Sequence, residues 1–111
     1  MSRDPRMYLE DILHSCERII EYVEGMNLDQ FVGDSRTYDA VVRNLEVIGE
    51  ASKKLPQATR ERLPGVEWRK ISGLRDYLAH AYFGIDDDIL WDVVGNKVPQ
   101  LATMVREFLA D

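Results

Sequence analysis

A chain of 111 residues, 45% apolar and 31% charged, has the balance of one domain around one core. That excludes a disordered segment and a multidomain enzyme. Twenty acidic against fourteen basic residues leave a formal charge of −6, which excludes diffuse coating of nucleic acid but not binding at a local cluster of arginines.

Helical periodicity governs the whole chain, and no strand alternation competes with it. The first helix opens at Asp4-Pro5, an N-cap followed by proline at the first helical position. Its apolar stripe runs Leu9, Ile12, Leu13, Cys16, Ile19, Ile20 and Val23, and Gly25 marks its end. A short helical turn is expected over residues 28–32. Asp34 or Ser35 then caps a second long helix with the stripe Tyr38, Val41, Val42, Leu45, Ile48, Ser52 and Leu55, ended by Pro56. Residues 57–65 hold one turn of helix at most, because Pro64-Gly65 is a turn signal.

A third helix starts near Glu67, with Trp68, Ile71, Leu74, Leu78 and Ala81 on its apolar face and Phe83-Gly84-Ile85 closing it. Asp86, Asp87 and Asp88 suit the N-terminus of a fourth helix better than a metal site. Pro99 interrupts that helix, which predicts a kink near Asn96 to Val98 before Leu101, Met104, Val105, Phe108 and Leu109 resume the stripe. Short connections favour antiparallel neighbours. The expectation is all-α: a single domain over residues 1–111, an up-and-down bundle of four to five helices.

Cys16, the one cysteine, excludes an internal disulfide and reads as a small buried hydrophobe in a reducing compartment. No stretch approaches the ~18 apolar residues of a membrane span, and Met1-Ser2-Arg3-Asp4-Pro5 has no signal-peptide character. A cytoplasmic protein without membrane association is expected.

Chemistry concentrates in Arg75-Asp76-Tyr77-Leu78-Ala79-His80-Ala81-Tyr82. Arginine binds phosphate bidentately, histidine moves protons near neutral pH, and tyrosine adds a hydroxyl. On an ideal helix Arg75 and Tyr82 lie within roughly 20° of each other, whereas His80 is about 140° from Arg75. Either the helix loosens before Gly84, or two copies of the helix meet around a shared cleft. Taken singly, each residue has a plain structural explanation. His80 could pair with the Asp76 carboxylate four residues earlier, and Arg75 could cover the edge of the stripe with its stem.

Together they form Arg-x4-His-x-Tyr, which resembles the signature of the HepT-like HEPN toxins. The flanks Trp68-Arg69-Lys70-Ile71 and Phe83-Gly84-Ile85-Asp86 are similar too, as is Arg43-Asn44-Leu45-Glu46-Val47-Ile48-Gly49-Glu50-Ala51 in the second helix. The resemblance spans residues 7–109. It implies a helical toxin of a toxin–antitoxin pair, a homodimer or larger homo-oligomer, encoded beside a minimal nucleotidyltransferase antitoxin. It further implies a metal-independent ribonuclease without cofactor, acting on RNA through Arg75 and His80. It makes Tyr82 the residue that the antitoxin modifies with AMP, and Tyr82 is also a candidate catalytic residue beside Arg75 and His80, placed to orient the phosphate or ribose.

RNA carries its own nucleophile, the 2′-hydroxyl, so proton transfer and charge stabilisation are enough to cut it. Arg43, Glu50 and Asp76 are candidate partners around the motif. Glu46 and Glu50 share a helix face but lack the Glu-x-x-His pairs of metal-binding bundles. His14 reads as structural. Tyr77, off the apolar stripe, is a candidate contact for a second copy or an antitoxin. The rival expectation is a non-catalytic helical domain that binds a nucleotide or a protein.

Overall fold

The computed structural model describes residues 3–81 and 84–111. Its helices are α1 (Pro5–Tyr22), α2 (Leu28–Gly33), α3 (Ser35–Lys54), α4 (Gln57–Glu61), α5 (Trp68–His80), α6 (Asp87–Asp92) and α7 (Val98–Ala110). A π-helical turn, Val93–Lys97, joins α6 to α7. Among the described residues, three of these seven helices (α2, α4 and α6) are only five or six residues long. The long limbs are α1, α3, α5 and the run from α6 through α7, so the bundle is the expected up-and-down one.

Local chemistry sets the helix starts. The Asp4 carboxylate accepts from the Arg6 N–H, with Pro5 at the first position. Asn27 and Gln30 form a reciprocal capping box at α2. At α3 the cap is Asp34, which accepts from the Thr37 N–H at 3.2 Å and the Thr37 hydroxyl at 3.0 Å. Those bonds hold its carboxyl below the usual carboxylate range. Asp86 accepts from the N–H groups of Asp88 and Ile89, which accounts for the acidic run as a cap. The break expected before Pro99 is the π-helical turn, where the backbone widens ahead of a residue that cannot donate.

The core is the sum of the stripes. Leu9, Ile12, Cys16 and Ile19 of α1 meet Val41, Leu45 and Ile48 of α3 and Leu101, Ala102 and Val105 of α7, all buried. Burial pushes the Cys16 thiol up to about 12, with Glu17 adding to the effect, so it is an inert packing group. Buried Ser52 is satisfied inside its own helix, donating to the Ile48 carbonyl at 2.5 Å. Phe31 of α2 lies against Tyr38 and Trp91, and the Tyr38 hydroxyl donates to Asp87 at 2.7 Å, which fastens α6 to α3.

In this arrangement α1 and α5 both pack on α3, and α7 packs on α1. An apolar hollow of about 190 Å³ lies between Ile48, Ile71, Leu74, Val93, Leu101 and Met104. The opposite, outward face of α3 forms the floor of a polar groove walled by α1 and by Arg75 of α5. No helix among the described residues is long and apolar enough to cross a membrane.

Candidate functional site

The motif helix is held against α3 at its closest point by a missing side chain. A Cβ on Gly49 would stand 2.5 Å from the Arg75 Cβ and 3.2 Å from its Cα. Only glycine lets the two helices meet there. The contact fixes where Arg75 leaves α5, so its side chain enters the groove at one end.

Two carboxylates then hold the guanidinium. Arg75 Nε lies 3.3 Å from Glu50 Oε2, and a terminal nitrogen lies 3.7 Å from Asp76 Oδ1. Each carboxylate is shared with a lysine of α3: Lys53 Nζ is 2.6 Å from Asp76 Oδ1, and Lys54 Nζ is 3.9 Å from Glu50. Lys53, Asp76, Arg75, Glu50 and Lys54 thus form one chain of alternating charge across the α3–α5 contact. The Lys53 hydrogen bond holds the Asp76 carboxyl below the ordinary carboxylate range; the charges of Lys53, Arg75 and His80 act the same way. The cluster is solvent-accessible, so its worth is geometric more than energetic.

His80 is positioned by the same residue through a different group. Its Nδ1 is 2.7 Å from the Asp76 main-chain carbonyl. A carbonyl oxygen only accepts, so Nδ1 carries the hydrogen, and in the neutral ring Nε2 is the nitrogen with the lone pair. His80 therefore reaches Asp76 in two ways: its charge acts on the carboxyl, as the sequence suggested, and its ring hydrogen bond goes to the main-chain carbonyl.

The helix stays regular through His80 and stops earlier than Phe83-Gly84-Ile85 predicts. Ala81 has already left the helical region at φ −85° and ψ 59°, and the Gly84 N–H returns to the Ala81 carbonyl. Gly84 sits at φ +129°, a conformation open to glycine but not to a side chain. Loosening therefore begins after His80 and does not swing it toward Arg75. Tyr82 and Phe83 lie outside the described residues.

Of the candidate partners, Glu50 and Asp76 contact Arg75. Arg43 lines the same groove two turns away along α3 and makes no bond to Arg75. Glu46 lines the groove as well, and His14 is exposed on α1. The Tyr77 ring is exposed, and its hydroxyl accepts from the Asp86 N–H at 3.0 Å, bracing the turn after the motif. Sequence reasoning missed Lys53, Lys54 and the role of Gly49. Gly49 alone left a signal: a glycine inside a long helix costs about 1 kcal/mol against alanine and calls for a packing reason.

The profile of the family described as ribonuclease HepT-like matches residues 12–108, nearly the whole chain. The chain belongs to the HepT-like ribonuclease family. This HepT-like chain is 45% identical to a candidate RNase of Caldanaerobacter subterraneus over 96% of either chain. It is 44% identical to a candidate RNase of Methanocaldococcus jannaschii, covering 98% of this chain and 90% of that one. A candidate ribonuclease HepT of Thermococcus cleftensis is 42% identical, over 91% and 92% of the two chains. No solved structure gives a match.

Proposed function

We propose that this HepT-like protein is a metal-independent endoribonuclease and the toxin of a toxin–antitoxin pair. Arg75 holds the scissile phosphate and His80 moves the proton. The observation that supports this most is the construction around Asp76. Its carboxylate and Glu50 steady the guanidinium, while its carbonyl fixes the His80 tautomer whose Nε2 accepts a proton. One residue thus orients both members of the motif.

The reaction needs nothing beyond RNA and these groups. His80 takes the proton of a 2′-hydroxyl as that oxygen attacks the adjacent phosphorus. The bond to the 5′-oxygen breaks, and this leaving oxygen takes a proton from a second imidazolium. The products are a 2′,3′-cyclic phosphate and a 5′-hydroxyl end. Arg75 neutralises charge building on the phosphoryl oxygens. Because His80 is about 140° from Arg75 on a helix that stays regular between them, the base and the phosphate clamp of one site come from two copies. The protein acts as a homodimer in the cytoplasm, and the His80 of each copy serves as acid or base in a shared cleft. A cognate minimal nucleotidyltransferase neutralises it by joining AMP to Tyr82, adding bulk and negative charge where RNA phosphate must sit.

The test is cleavage of a labelled RNA in excess EDTA by wild type and His80→Ala prepared identically. Removing a general acid–base is expected to slow cutting by roughly 10²–10⁴-fold. A 2′-deoxy sugar at the scissile position should block it entirely. Equal cutting by wild type and variant, or cutting at the deoxy position, overturns the mechanism. Incubation with the nucleotidyltransferase and ATP is expected to add AMP to wild type and not to Tyr82→Phe, read by intact mass.

A further inference from the structure

The groove on the outward face of α3 extends well beyond Arg75, and nothing in the cleavage chemistry uses its far end. It encloses about 340 Å³ and runs between α1 and α3. Four cations line it (Arg3, Arg43, Lys54 and Arg75) against three carboxylates. A chain with twenty acids and fourteen bases reverses its overall balance here.

The two ends differ. Near Arg75 the charges neutralise each other in the Lys53-to-Lys54 chain. Arg43 lies seven residues before Glu50, two turns or about 10 Å along the axis, and points into the same groove. Among the described residues it has no carboxylate within ion-pair distance, so its guanidinium is uncommitted. Beside it, the Tyr8 ring is half-buried in the α1 wall with the Arg3 guanidinium 4.6 Å from its centroid. Asp11 holds that guanidinium at 2.9 Å, which leaves Arg43 as the unpaired cation of this end among the described residues. An aromatic face beside an arginine held by a carboxylate, next to a guanidinium with no such partner, suits a base and its phosphate.

We infer that the far end of this groove is a nucleotide subsite, in which Arg43 binds a phosphate flanking the scissile one and Tyr8 with Arg3 receives a base. The proposal rests on the ribonuclease reading for its substrate, single-stranded RNA. It explains how an acidic protein holds RNA: a short electropositive track carries two successive contacts, one at Arg75 and one at Arg43. Contacts of this kind position the strand and are indifferent to its sequence, since every base has a face and every nucleotide a phosphate.

The experiment is fluorescence anisotropy with a labelled six-nucleotide 2′-O-methyl RNA, which has no free 2′-hydroxyl and is not cut. Wild type, Arg43→Gln and Arg106→Gln are compared across a salt series. Arg106 pairs with Glu17 away from the groove and serves as the charge control. Arg43→Gln is expected to weaken binding by about tenfold and to lower the slope of log affinity against log salt by about one. Arg106→Gln should match wild type, and circular dichroism should show all three equally helical. Equal affinity and slope for wild type and Arg43→Gln overturns the subsite, as does the same loss in Arg106→Gln or no binding by wild type. If wild type binds this probe through Arg43 yet cuts no RNA, catalysis fails while the subsite stands.

Discussion

The two faces of α3 are built on opposite plans. Val41, Leu45, Ile48 and Ser52 point inward and are buried in the shared core. Arg43, Glu50 and Lys54 point outward into the polar groove, where each interaction is exposed and made by few partners. The inner face supplies the free energy of folding through apolar burial. The outer face contributes little stability and sets the direction of charged groups instead. Gly49 sits at the join, where the outer face meets the motif helix, and there stability and site geometry depend on one atom.

That position gives the sharpest way to break the comparison. Gly49→Ala puts a Cβ where Arg75 already stands, and both are anchored close to the backbone, so α5 must shift. A loss of about 1–3 kcal/mol is expected, together with weaker RNA binding, because Arg75 moves with its helix. Gly73→Ala on α5 is the contrasting change: nothing lies within 4 Å of its added Cβ. Replacing glycine in a helix interior there should raise stability by roughly 0.5–1 kcal/mol. Thermal melts of the two variants read the difference directly. A stable Gly49→Ala protein with wild-type RNA affinity would mean the close approach does not position Arg75.

Glu50→Gln tests the outer face without touching the join. The side chain keeps its size and loses its charge, and the pair it breaks is half-exposed at 43% and 49%. Stability should stay within about 0.5 kcal/mol of wild type. Cleavage is expected to fall by about tenfold, because an arginine released from its orienting partner spends less time on the phosphate. Unchanged cleavage would leave Asp76 as the sole carboxylate that matters to Arg75.

The same division explains what was legible in the sequence. Apolar stripes of spacing three and four expose the inner face directly, so the long helices, the Asp4 cap and the break before Pro99 could be read off residue by residue. Arg75 and His80 stood out through their spacing. The outer face has no such period. Lys53 and Asp76 are 23 residues apart, and their 2.6 Å contact depends on how closely α5 approaches α3. That approach is a tertiary quantity, set by one glycine whose local signal is only a mild helix penalty. The Asp76 carbonyl as a hydrogen-bond partner of His80 was also hidden, since from the sequence the side-chain carboxylate four residues earlier is the more obvious acceptor.

The smallest effect concerns acid. The folded Asp76 carboxyl titrates below its ordinary value, first because Lys53 donates to it. A carboxylate whose pKa is lowered by folding adds stability above its unfolded pKa, near ~3.9, and loses it as pH falls through the lower folded value. Between pH 5 and 8 the Lys53–Asp76 contact is therefore fully formed, and any change of cleavage rate in that window belongs to another group. Lys53→Gln should move the Asp76 titration midpoint, followed by carboxyl carbon NMR, up toward the ordinary carboxylate range. The residual attraction of Arg75 and His80 should keep it from arriving there. A midpoint unmoved by the substitution would place the cause in those two charges, and the α3 lysine would then lose its part in fixing the residue that orients both members of the motif.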